Sequence, residues 1–104
     1  MENLSDKAKI VYATFKMLEA SGEANAVTSY TVLNYIEENE ELQEHEILKD
    51  ISEEDFVDII MNMNIKSVSA VITALCRKNL LGKTATMSIK VDGERKDLKK
   101  YFLL

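Results

Sequence analysis

The feature that most constrains this 104-residue chain is a change of hydrophobic period near residue 84. From Ile65 to Leu80 apolar residues return at helical spacing. Val68, Val71, Ile72, Leu75 and Asn79 fall on one side, and Lys66, Ala70, Thr73 and Arg77 on the other. From Thr84 the spacing is two. Ala85, Met87, Ile89 and Val91 alternate with Thr84, Thr86, Ser88 and Lys90, the pattern of a strand with one buried face. Leu80-Leu81-Gly82 separates the two regimes and ends the helix. The fold class is therefore α+β, mainly α, with four to five helices and a C-terminal two-stranded β-hairpin over about 84–104.

Asp92-Gly93 is the turn signal of that hairpin. A two-residue loop sets Val91, Ile89 and Met87 opposite Glu94, Lys96 and Leu98. A six-residue loop, Asp92 to Asp97, pairs Val91 with Leu98, Ile89 with Lys100, Met87 with Phe102 and Ala85 with Leu104. Three of those four pairs are apolar on both sides, which favours the longer loop and puts Arg95 and Lys96 at an exposed tip.

The N-terminal elements follow from caps and period. Ser5 caps a helix whose face is Ala8, Val11, Tyr12, Phe15 and Leu18, with Gly22 placed to end it near Ser21. Residues 22–26 form a short connection. Thr28 or Ser29 caps a second helix bearing Val32, Leu33, Tyr35 and Ile36. Residues 42–51 fit a short helix or an ordered loop. Ser52 with Glu53, Glu54 and Asp55 starts a further helix, with acids where they suit the helix dipole and Phe56, Val57, Ile59, Ile60 and Met61 as its apolar side. Asn62-Met63-Asn64 is a tight turn, Asn being the residue other than Gly that best tolerates left-handed backbone.

Size and composition set the function classes. A chain of this length makes one domain, residues 1–104. Its apolar runs are far shorter than the roughly 20 residues that cross a bilayer, and its N-terminus lacks the basic-then-apolar order of a signal peptide. One Cys makes no internal disulfide, so the expected compartment is the cytoplasm. His45 stands alone as a surface residue, Cys76 reads as a structural thiol, and no catalytic arrangement or metal-ligand spacing occurs. The expectation is a non-enzyme without cofactors.

The net charge of −5 conceals a division. Residues 1–60 carry four lysines against fifteen acids, giving −11; residues 61–104 carry nine Lys and Arg against three acids, giving +6. A basic half inside an acidic chain points to a nucleic-acid partner for that half. Helix, short turn, helix and a basic hairpin is the plan of a winged helix-turn-helix domain.

The stretch Asn64-Ile65-Lys66-Ser67-Val68-Ser69-Ala70-Val71-Ile72-Thr73-Ala74-Leu75-Cys76-Arg77-Lys78-Asn79-Leu80-Leu81 resembles the recognition helix of MarR-type and related bacterial winged-helix regulators. Ser67-Val68-Ser69, Val71-Ile72, Leu75 and Arg77-Lys78-Asn79-Leu80 fill the places of that family's motif, and the hairpin follows where its wing does. The resemblance covers about residues 53–104. It implies a bacterial or phage transcriptional regulator that binds double-stranded DNA. Two positions depart from the family: Ala70 stands where many relatives carry Arg, and Asn79 where they carry Gly.

On this reading Asn64, Lys66, Ser67, Ser69, Ala70 and Thr73 lie on the groove-entering part of the helix, and Arg77 meets the backbone. Lys90, Arg95 and Lys96 belong to the wing. Either 28–40 or 53–61 serves as the first helix of the motif, the spacing to Val68 and Leu75 favouring 53–61. Regulators that read two half-sites dimerise, here through helix 5–21. The second functional reading is a protein-interaction module whose acidic surface, residues 37–58, binds a basic partner protein. Those residues hold eleven acids and one Lys.

Overall fold

A computed structural model describes residues 4–84 and 87–104, with the backbone alone at 87–89, 91 and 95–98. Its regular elements are α1 (Asp6–Met17), α2 (Ser29–Glu38), α3 (Glu53–Met61), α4 (Ile65–Arg77), β1 (Leu81–Lys83), β2 (Met87–Val91), β3 (Glu94–Leu98) and β4 (Tyr101–Leu103). Short 3-10 segments occupy Glu23–Asn25, Glu40–Glu44 and Glu46–Leu48. The class is α+β and mainly helical. Among the described residues no single helix is long and apolar enough to cross a membrane.

The helix starts are where the cap residues put them. Ser5, Thr28 and Ser52 each accept the backbone N–H three residues on, satisfying donors that a helix start leaves unpaired. The ends differ from expectation. Helix α1 stops at Met17, and the left-handed residue is Glu19 (φ 52°), not Gly22. The Glu19 N–H reaches Lys16 O and the Ala20 N–H reaches Phe15 O, which makes a Schellman closure. Closing there turns Ala20 into the core and frees residues 20–27 to pair with β4.

Helix α4 likewise ends at Arg77 rather than Leu80. Asn79 (φ 61°) takes the left-handed position, with Asn79 N–H to Cys76 O and Leu80 N–H to Leu75 O. It is thus off the helix and exposed, not on its apolar side. In the 62–64 turn neither Asn is left-handed. Asn62 donates its side-chain amide to Asp58 O at 2.8 Å, and Asn64 is the N-cap of α4.

Helix α1 runs through the middle of the molecule. Ile10, Val11, Ala13, Thr14 and Phe15 are wholly buried, and the Thr14 hydroxyl is satisfied by Ile10 O at 2.8 Å. Helices α2 and α4, the 40–48 segments and β4 pack around it. The two 3-10 segments decide the 42–51 stretch: Leu42, Leu48 and Ile51 are buried, so the acidic run is pinned to the core by apolar anchors.

The strands form two ladders. Strand β1 pairs with β4 (Leu81 with Leu103, Gly82 with Phe102, Lys83 with Tyr101), and β2 pairs with β3. The outer register is Met87 with Leu98, Ile89 with Lys96 and Val91 with Glu94. That is the two-residue loop, so the six-residue loop and its pairings are wrong. Asp92 (φ 52°) and Gly93 (φ 81°) both have positive φ, the type I′ turn whose twist suits a hairpin. Turn geometry outweighs the apolar pairs, because β4 finds its apolar partner in β1 instead. Ala85, once expected opposite Leu104, lies outside the described residues.

Strand β4 also closes the chain on itself. Tyr101 and Val27 exchange backbone hydrogen bonds at 2.7 and 2.9 Å, and the Leu103 N–H reaches Ala20 O at 2.7 Å. The 22–26 connection is therefore part of a small sheet margin rather than a plain loop. Gly82 is needed for space: a Cβ there would sit 2.6 Å from the Phe102 ring.

Candidate nucleic-acid interface

Helix α4 is fixed by its inner side and presented by its outer side. Val68, Ile72 and Leu75 are fully buried, each worth about 1.5–3 kcal/mol of burial. At 100° per residue, Lys66, Ala70, Thr73 and Arg77 form one stripe directly opposite, with Ser69 beside it; all five are exposed. The stripe runs about 16 Å along the helix, and apart from its two cations it carries only short side chains. A surface of that shape and chemistry fits a groove in a polyanion.

Asn64 and Ser67 hold the start of that helix. The Asn64 Oδ1 accepts the Ser67 N–H at 3.0 Å, while the Ser67 hydroxyl accepts the Asn64 N–H and donates to Asn64 O, both at 2.9 Å. This reciprocal capping box engages the Asn64 Oδ1 and the Ser67 hydroxyl, two of the atoms expected to contact a groove. Thr73 donates its hydroxyl to Ser69 O at 3.0 Å, which leaves that exposed oxygen its acceptor capacity. Among the ten residues expected at the site, Lys66, Ser69, Thr73 and Arg77 are thus on the free face, Ala70 adds only a methyl, and Asn64 and Ser67 act as a cap.

Lys90 is exposed in β2 and lies in register opposite Arg95, with Ile89 opposite Lys96. Arg95 and Lys96 are therefore within β3, not at the tip, which is Asp92-Gly93. Their side chains lie outside the described part. Like charges placed opposite each other in a ladder repel and lower its stability.

Other cations were missed by reading α4 and the hairpin separately. The end of α4 packs on β1, and Arg77, Lys78 just past the helix and Lys83 at the end of β1 are all exposed. Burial pushes the Cys76 thiol above its ordinary value, and the nearby Lys83 ammonium partly opposes this. Tyr101 is raised by burial and then by Cys76. These couplings locate Cys76, Lys83 and Tyr101 at one junction. The charge count of the C-terminal half was the available signal for Lys78 and Lys83.

Helices α3 and α4 are joined by three residues, and their axes turn through 112°. His45 has a structural use: its Nδ1 accepts the Ile47 N–H at 3.1 Å and caps the 46–48 segment. Among the described residues no three His, Cys, Asp or Glu side chains converge as metal ligands. No protein-family model, curated protein or solved structure matches this chain.

Proposed function

We propose that this chain binds duplex DNA as a winged helix-turn-helix domain and serves as a small transcriptional regulator. The observation that carries the reading is the outer stripe of α4, polar, basic and exposed, on a helix locked by three buried anchors. It has a helix-turn-helix crossing in front of it, 112° across a three-residue turn, and a cation-bearing hairpin behind it. The two ladders and the hairpin take the part of the wing, and 53–61 that of the first helix. Lys66, Ser69 and Thr73 enter the major groove. Arg77, Lys78 and Lys83 lie along the phosphates, and Lys90, Arg95 and Lys96 meet the flanking groove.

Because Ala70 supplies no charged contact, phosphate attraction dominates and sequence preference is modest. A homodimer through helix 5–21 would have to use its exposed side, Lys16 and Met17, since its apolar side is spent on the core.

The test is a salt titration of binding to a labelled duplex. Seven cations at the interface give a slope of log K against log salt of about −6. A flat response between about 50 and 200 mM salt, or no binding at low salt, overturns the proposal.

A further inference from the structure

A groove of about 340 Å³ lies between the end of α2, the 40–44 segment and α3. Ile36, Phe56 and Ile60 line it, and Val57 and Met61 stand one helical turn apart beside them. Met61 is 79% exposed and Val57 46%, although both are large apolar side chains. Glu37, Glu40 and Glu53 line the same groove, and a second depression lined by Glu40, Glu41, Glu44 and Glu53 continues the negative surface. Neither depression is lined by a Lys or Arg.

We infer that this groove docks a basic amphipathic helix of a partner protein, with aliphatic side chains seated on Phe56, Val57, Ile60 and Met61 and Lys or Arg facing the acidic side. The chemistry selects the occupant. An apolar groove takes the apolar face of a helix, and the flanking carboxylates demand cations on either side of it. The same carboxylates repel nucleic acid and anionic lipid. A second copy of the chain fits poorly: the exposed stripe of α4 is basic, but it offers no apolar side chain larger than an alanine methyl. The inference uses no residue of the α4 stripe, so it stands or falls apart from DNA binding.

The probe is a labelled helical peptide of Leu and Lys, leucines at i, i+3, i+4 and i+7, titrated at physiological salt. The wild-type chain binds it, and the methyl resonances of Val57 and Met61 shift while that of Met17, which lines neither depression, does not. Val57→Asp with Met61→Asp makes the surface more negative, so attraction by charge alone predicts equal or tighter binding. Loss of an apolar anchor predicts binding weaker by about tenfold or more. Glu37→Gln, Glu40→Gln and Glu53→Gln together weaken it about fivefold, less at high salt. Unchanged or tighter binding to the Asp variant overturns the inference, as do wild-type shifts that leave the Val57 and Met61 methyls unmoved. Self-association of the wild type in sedimentation that Met61→Asp abolishes also overturns it, in favour of a second copy.

Discussion

Helices α3 and α4 are neighbours in sequence, nearly equal in amphipathic design, and opposite in what they offer. Helix α4 buries three side chains completely and begins with a reciprocal capping box; its outer face is short, polar and basic. Helix α3 buries Phe56 alone, half-buries Ile59 and Ile60, and leaves Val57 and Met61 in solvent among Glu53, Glu54 and Asp58. Rigid presentation needs an apolar side fully spent on the core. Helix α4 has spent it, and α3 has not. An apolar period in sequence therefore reports a capacity to bury, while only packing decides how much of it is used.

The largest expected effect breaks the comparison at its base. Ile72→Ala or Leu75→Ala should cost about 2–5 kcal/mol in urea unfolding, whereas Val57→Ala and Met61→Ala should stay within about 0.5 kcal/mol. Equal costs would mean that α3 is anchored as firmly as α4. Next comes Lys66→Glu with Arg77→Glu, which should weaken duplex binding by about tenfold or more and make the salt slope shallower by about two. Replacing Glu37, Glu38, Glu40 and Glu41 by Gln should leave that binding intact or improve it; a loss would move the functional face to the acidic half.

A smaller effect separates the two helix starts. Asn64→Ala should cost about 1 kcal/mol, because it opens the capping box of a helix coupled to the core. Ser52→Ala should chiefly fray the first turn of α3, and hydrogen exchange should find α3 amides less protected than those of α4. The smallest effect is on pH. The folded Cys76, Tyr101 and Tyr35 hold their protons above their ordinary values of 9.0 and 10.0, chiefly through burial. The unfolded chain releases those protons first, so stability should begin to fall as pH rises past the ordinary values of 9.0 and then 10.0. Urea midpoints across that range check the sign, and Cys76→Ala should remove the earliest part of the fall.

Period and caps made much of the fold legible. Ser5, Thr28, Ser52 and the two faces of α4 were readable because each rests on residues within one or two turns of one another. The misreadings share a physical cause. The hairpin register was inferred from apolar pairing alone, but Asp92-Gly93 dictates a two-residue turn, and the apolar residues of 101–104 pair elsewhere. The helix ends were assigned to Gly22 and Leu80, whereas Glu19 and Asn79 accept left-handed backbone because the pairing beyond them offsets the strain of about 1 kcal/mol. At the candidate site, the exposure of Lys66, Ser69, Thr73 and Arg77 was legible from spacing, while the use of Asn64 and Ser67 as a cap needed their hydrogen bonds.

The sequence by itself determined the helices and their buried sides, the change from helix to strand, and the division into a −11 and a +6 half. These depend on local periodicity and on counting. Only the tertiary structure decided that β4 pairs with β1 and residues 20–27, and that Val57 and Met61 stay exposed beside a groove shared with the end of α2. Those outcomes join residues far apart in the chain, and their energies depend on which surfaces meet.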